Sequence, residues 1–215
     1  MQFSDETLAV LKNFSGINQS ILFKPGNELR TISPSKTVMA SATIEENISG
    51  RSAVYDLSRF LSTLSLFKDP DVNFGTDKFT ITSGRSKVNY TYASENMIVT
   101  PPDREINLPS VDVTVDIKWE VIESVIRAAG VLQVSDITFT GSDGKIVMAA
   151  TDSKNPTADR FDVEVSDYTG EPFNMHIKVE NMKLMPANYT VSLCAAGMSH
   201  FKSEKIQYWI AVQTN

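Results

Sequence analysis

Cysteine occurs once in the 215 residues, at Cys194, inside the apolar run Val191 to Ala196. One thiol per chain closes no disulfide and builds no cysteine-rich metal site, so Cys194 reads as a buried strand residue. Histidine is almost as scarce. His176 and His200 lie in separate strand-like stretches with no second ligand at a metal spacing, and neither is expected to catalyse or ligate. No run approaches the roughly 18 apolar residues of a membrane span, and the opening Met-Gln-Phe-Ser-Asp-Glu has no basic segment leading into an apolar one. The expected location is the cytoplasm, away from any membrane. A basic excess is also missing: the formal charge is −6. That excludes a uniformly basic coat that would hold nucleic acid by counterion release, so a DNA-binding face must be local. The phosphate-binding P-loop, the dinucleotide glycine fingerprint, the nucleophile elbow and the zinc-protease helix motif are all absent. Most aspartates fall in turns and at helix starts, where capping accounts for them. Neither an enzyme nor a cofactor is expected.

What is present is a repeated plan. The segment DETLAVLKNFSG follows a helix-start signal at Ser4, and Asp5 and Glu6 in its first turn suit the helix dipole. Thr7, Leu8, Val10, Leu11 and Phe14 share one side of the wheel, Lys12 lies on the other, and Gly16 is expected to end the helix. The segment IKWEVIESVIRAAG repeats this pattern about 115 residues later. Its apolar side is Val121, Ile122, Val125, Ile126 and Ala129, its polar stripe contains Glu123 and Arg127, and Gly130 is expected to close it. A strand, a turn and another strand follow each helix. In the second half these are DITFT, Ser142-Asp143-Gly144 and KIVMAAT.

A second helix is expected over DLSRFLSTLSLF, with Leu57, Phe60, Leu61, Leu64 and Phe67 inward and Arg59 outward. Its counterpart, VENMKLMP, is shorter and is stopped by Pro186; aligning Asp56 with Glu180 sets Arg59 opposite Lys183. Alternating strands fill KFTITSGRSKVNYTYA, DRFDVEV, FNMHIKV, NYTVSL and KIQYWIAV. The stretch 96–109 has three prolines and no sustained period, and reads as an extended connector between domains at 1–95 and 110–215. The expected fold class is α+β: two pseudo-repeated domains, each with two helices against antiparallel sheet.

This order and spacing resembles the DNA sliding clamps, the DNA polymerase processivity factors, and within them the clamps of T-even-type tailed bacteriophages. The likeness rests on ETLAVLKNFSGIN, AVYDLSRFLSTLSL, IRAAGVLQVSDITFT, GKIVMAATD and FNMHIKVENMKLMPANYTVSL, and it spans essentially the whole chain. It implies a DNA-clamp fold and a homotrimer closed around double-stranded DNA, with helices lining the hole. It also implies a replicative DNA polymerase and an ATP-driven clamp loader as partners, and the infected bacterial host's cytoplasm as the setting. A further role in phage late transcription comes with the T-even-type clamps. A viral structural or assembly protein with antiparallel-sheet subunits is the alternative.

A ring tethers by topology, so its lumen needs only weakly held phosphates read without base contacts. Each of the four expected helices supplies one base for such a surface: Lys12, Arg59, Arg127 and Lys183. The competing reading makes these ordinary solvated residues, with Glu123 and Arg127 as an i,i+4 pair. For a pocket that takes partner peptides, the apolar residues beside the connector are the candidates: Leu66, Phe67, Ile98 and Val99.

Overall fold

A computed structural model describes residues 1–155 and 157–214. The chain divides into two compact units, Met1–Arg104 and Glu105–Asn215. The division therefore falls inside the stretch read as the connector, assigning 96–104 to the first unit.

The first unit opens with helix α1 (Asp5–Ser15). Ser4 caps it, its hydroxyl accepting from the Thr7 amide, and at its end the Gly16 amide donates to Asn13 O and the Ile17 amide to Phe14 O. Strands β1 (Ile21–Phe23), β2 (Gly26–Ile32), β3 (Val38–Ile48) and β4 (Ser52–Val54) follow, then helix α2 (Leu57–Leu64) and strands β5 (Asp71–Phe74), β6 (Lys78–Ser83) and β7 (Ser86–Thr91). β2 and β3 form an antiparallel hairpin, β1 pairs with β4, and β5, β6 and β7 make a three-stranded sheet in that order. Glu46 of β3 fixes the start of α1, accepting from the Ser4 amide and from Thr7 Oγ1 at 2.5 Å. Burial tends to raise its pKa, but these donors prevail and hold it below the ordinary carboxylate range.

Aromatic residues dominate the core of this unit. Phe23, Phe60 and Phe79 are fully buried; Phe60 and Phe79 lie 4.9 Å apart, as do Phe74 and Phe79. Phe60 thus inserts α2 into the cluster as its anchor.

The second unit contains β8 (Val113–Ile117), α3 (Trp119–Leu132), β9 (Asp136–Ser142), β10 (Lys145–Thr151), β11 (Phe161–Asp167), β12 (Phe173–Lys178), β13 (Tyr189–Cys194), β14 (Met198–Lys202), β15 (Ile206–Ala211) and the two-residue β16 (Gln213–Thr214). One sheet runs β11-β10-β9-β12-β16, and another run of pairings joins β15-β14-β13-β8, all antiparallel. Ile122, Val125 and Ala129 of α3 are buried, as their spacing requires.

The sheet-and-helix class is the expected α+β, but two helix ends differ from the sequence reading and one expected helix does not form. Gly130 does not close α3, which continues to Leu132 and is capped by Gln133 in the left-handed region (φ 55°). Half-buried Leu132 and buried Val134 draw the chain onward, which outweighs the roughly 1 kcal/mol penalty of an internal glycine. α2 stops at Leu64, and Phe67 lies beyond it in two successive tight turns, Leu66 N–H to Thr63 O and Phe67 N–H to Leu64 O.

VENMKLMP forms no α-helix. It holds one 3₁₀ turn, Val179–Asn181, so among its described residues the second unit has one α-helix where two were expected. Met182 and Leu184 are both buried while Lys183 between them is exposed, an alternation that belongs to extended chain. Met185 is gripped from both sides: its amide donates to Tyr208 Oη at 3.1 Å, and its carbonyl accepts from Tyr189 Oη at 2.6 Å.

Candidate nucleic-acid and partner interface

On an α-helix successive residues are separated by about 100°, so burying one residue turns its neighbour outward. Leu11 is fully buried and Lys12 exposed; Phe60 is fully buried and Arg59 exposed. On α3, buried Val125 and Ala129 flank exposed Arg127. Among the described residues, the side chains of Lys12, Arg59 and Arg127 make no hydrogen bond or ion pair. The alternative pairing of Glu123 with Arg127 does not form. Lys183 is exposed too, but it follows the 3₁₀ turn instead of projecting from a helix, so one base per helix holds for three positions and not for the fourth.

The surface around Arg59 is unusual in composition. α2 contains no acidic residue, and its outer side carries Ser58, Ser62 and Thr63, with Ser65 at the cap. Ser62 Oγ donates to Ser58 O at 2.9 Å, Thr63 Oγ1 to Arg59 O at 2.8 Å, and Ser65 Oγ to Ser62 O at 2.8 Å. The donor protons of Ser62, Thr63 and Ser65 are therefore committed to the helix, which leaves the guanidinium as the charged donor of that face.

α1 and α2 enclose a groove of about 680 Å³ whose lining includes Leu8, Lys12, Leu61, Ser62, Phe67 and Lys68. Arg59 lies outside it and borders a separate depression of about 530 Å³ with Tyr55, Tyr90, Tyr92 and Met97. Lys12 and Arg59 thus occupy adjacent helices but line different hollows. Lys68 joins Lys12 in the groove. The helical period ends before Lys68, so the wheel gave no signal for it.

The four apolar pocket candidates do not converge. Phe67 lines the α1–α2 groove, whereas Val99 lines a hollow of about 300 Å³ with Ile17, Pro34, Tyr55 and Met97. Ile98 is half-buried, and Leu66 stands 73% exposed, with neither lining these hollows. Asn18 shapes the smaller hollow, its Nδ2 donating to Ile32 O at 2.8 Å and to Val99 O at 3.1 Å. Exposed Met97 borders both smaller hollows, and so does exposed Tyr55, which was not among the sequence candidates.

Cys194 and the two histidines are packed within the sheets. Cys194 is fully buried, its Sγ 3.2 Å from Ser110 Oγ. His176 is buried with Nδ1 3.0 Å from Thr138 Oγ1, and His200 stacks on Trp209 with ring centroids 4.8 Å apart. Among the described residues no cluster of three or more His, Cys, Asp or Glu is arranged to hold a metal, and no helix is long and apolar enough to cross a membrane.

Charge is divided unevenly between the units. Residues 1–104 hold 11 basic and 11 acidic residues, whereas residues 105–215 hold 9 basic and 15 acidic, so the whole negative excess belongs to the second unit.

Comparison with known proteins covers both units. Residues 4–100 match the family model "DNA polymerase processivity factor", and residues 114–214 match "gp45 sliding clamp, C terminal". The sliding clamp of Escherichia phage RB69 is 35% identical, over 100% of this chain and 98% of that one. The sliding clamp of Enterobacteria phage T4 is 32% identical over the same shares. Among solved structures, A. fulgidus PCNA, described with the C-terminal region of FEN-1 bound, superposes with a TM-score of 0.71 at 13% identity, covering 100% of this chain and 97% of that one.

Proposed function

The chain belongs to the sliding clamp family, and we propose that it encircles duplex DNA as a ring and tethers the replicative DNA polymerase, conferring processivity. Membership of this family displaces the reading of a viral shell subunit. The protein acts as a passive tether without catalysis of its own, in the cytoplasm of the infected host. It assembles head to tail as a closed trimer, which an ATP-driven clamp loader opens, and it additionally serves late transcription. The two domains are 1–95 and 110–215, joined by 96–109.

The observation that carries this reading is the set of exposed bases Lys12, Arg59 and Arg127, each turned outward by a buried neighbour and each free of side-chain bonds among the described residues. Lys183 completes the proposed DNA-facing set. Exposed charges without other bonds attract phosphates at long range but grip none of them firmly, as sliding requires. Polymerase and other partners dock short peptides on the apolar residues near the connector, among Leu66, Phe67, Ile98 and Val99. The FEN-1 segment bound to A. fulgidus PCNA is a precedent for peptide binding in that protein.

The test is loader-dependent primer extension with the Arg59→Glu, Arg127→Glu double variant across a salt series, with particle mass followed in parallel. The variant should remain a trimer of about 71 kDa. Its loading and processivity should fall alike on any DNA sequence, and added salt should bring the wild type toward it. A trimeric variant that matches wild type at low salt would remove these residues from the DNA-facing surface.

A further inference from the structure

In the first unit, the chain from Ser94 to Arg104 is attached in an unusual way. None of these residues is buried; Ile98 and Pro101 are half-buried and the others are exposed. Among the described residues the backbone bonds of this stretch stay inside it, Met97 N–H to Ser94 O at 3.0 Å and Ile98 N–H to Glu95 O at 3.3 Å. The last backbone tie to a strand comes one residue earlier, where Ala93 N–H donates to Ala53 O of β4 at 2.9 Å. A segment without buried apolar residues or a backbone ladder opens at small free-energy cost. The run Thr100-Pro101-Pro102 is conformationally restricted, so the end of the segment moves as a short stiff piece.

Side chains supply the attachments. Arg51 holds Glu95 in a two-pronged ion pair, Nε to Oε1 and Nη2 to Oε2, each at 2.6 Å. Lys24 pairs with Asp103, and Arg30 Nη2 donates to Arg104 O at 3.3 Å. Between the two ion pairs stands Asn18, which is 4% exposed. Its Nδ2 donates to Val99 O at 3.1 Å and to Ile32 O at 2.8 Å, while its Oδ1 accepts from the Ser20 amide at 3.0 Å and from Ser20 Oγ at 3.1 Å, so the whole amide is used. These attachments differ in kind. Arg51 and Glu95 are about half exposed and Asp103 is 82% exposed, so water and salt compete for both ion pairs. The Asn18 bond is shielded, and losing it leaves a buried donor without an acceptor.

We propose that residues 94–104 form a strap, pinned at Val99 by Asn18 and latched near its two ends by Arg51 and Lys24, and that the latched strap sets the affinity of the hollow beside it for partner peptides. The inference rests on the reading that partners dock peptides near the connector. Met97 and Val99 are the strap's contribution to that hollow, and Ile17, Pro34 and Tyr55 belong to parts of the unit outside the strap. A wall already in place leaves less chain to be ordered when a peptide arrives. Because the latches are exposed ion pairs, the strap lifts readily, and added salt lifts it further. Asn18 acts through Val99 as a positioning residue.

A nitroxide attached at Thr100→Cys reports the strap directly, since Cys194 is fully buried and stays unlabelled. The electron paramagnetic resonance line shape gives the ratio of mobile to immobile label at low and high salt with no partner present. Calorimetric titration with the cognate replicative polymerase gives affinity, and light scattering and circular dichroism follow assembly and fold. Arg51→Gln and Lys24→Gln should each raise the mobile-to-immobile ratio about two- to fivefold and weaken polymerase binding by a similar factor, with particle mass unchanged. Asn18→Ala should raise the ratio by roughly tenfold or more. Exchanging charges, Arg51→Glu with Glu95→Arg, should return both readouts to within about twofold of wild type, a rescue that a general loss of stability would not show. Salt should mobilise the label in the wild type and have little effect once Arg51→Gln and Lys24→Gln are combined. If Asn18→Ala does not fold, the two latch variants and the charge exchange decide the matter. Label mobility that is equal in wild type and latch variants, a charge exchange without rescue, or a mobile label with unchanged polymerase affinity would overturn the proposal. If the polymerase binds wild type and latch variants alike, the docking reading stands and only the strap falls. A wild type that binds no polymerase would sink both.

Discussion

Asp136 offers a direct test of the buried polar cluster that ties the start of β9 to Lys178 of β12 and to Ser153. Its carboxylate opens β9 just after the helix and is completely buried. It accepts from Lys178 Nζ at 2.6 Å, Ser153 Oγ at 2.8 Å, Ser135 Oγ at 2.9 Å and the Ser153 amide at 3.0 Å. Burial by itself would raise its pKa. The Lys178 ammonium and the serine donors prevail and hold it at about 2, against 3.8 for an ordinary aspartate. At about 1.36 kcal/mol per pKa unit, this difference contributes roughly 2 kcal/mol of stability at neutral pH. Since the folded pKa lies below the unfolded one, the contribution is complete above about pH 5 and is lost as pH falls through 3.8 toward 2.

Asp136→Asn removes the charge and turns an amide donor toward groups that are themselves donors. Breaking one side of a buried pair typically destabilises by 3–5 kcal/mol; Lys178 retains 25% exposure and can recover some hydration, so about 3 kcal/mol is expected. Urea unfolding of both proteins at pH 7 and pH 3 measures it. The variant should be less stable at pH 7, and the gap should narrow at pH 3. A gap below about 1 kcal/mol at pH 7, or one unchanged with pH, would refute the argument.

At Gly141, an added Cβ would lie 2.2 Å from Phe173 Cε1 and 2.8 Å from Tyr168 Cε1, so Gly141→Ala should lower stability by about 1–3 kcal/mol in thermal unfolding, through displacement of that ring pair. Gln133 caps α3 in the left-handed region, where a side chain is strained, and Gln133→Gly should raise stability by about 0.5–1 kcal/mol in the same assay. Because Val99 and Phe67 line different hollows, Val99→Glu and Phe67→Glu should separate the proposed peptide sites: calorimetric titration with the polymerase should show weakened binding for the variant whose hollow is used, with ring mass unchanged.

Local patterns in the sequence determined a good part of this protein. The Ser4 and Gly16 boundaries of α1, the buried stripes of all three helices and the alternating strands were legible because each follows from chemistry within a few residues: capping, the 3.6-residue period, the two-residue period. The outward aim of Lys12, Arg59 and Arg127 follows from the same periods. The family was legible from the order of these elements across the whole chain. Tertiary packing decided the rest. Gly130 stays helical because half-buried Leu132 and, past the helix end, buried Val134 anchor the chain beyond it, and VENMKLMP is held out of a helix because Tyr189 and Tyr208, distant from one another in sequence, clasp Met185. The apolar candidates beside the connector looked like one pocket because they are similar in character; whether they converge depends on how α1, α2 and the connector's start pack, and the chain places Phe67 and Val99 in separate hollows. Which strand edges stay unpaired is likewise a property of the assembled sheets, since every strand has the same backbone donors and acceptors and only packing determines which are left without a neighbour.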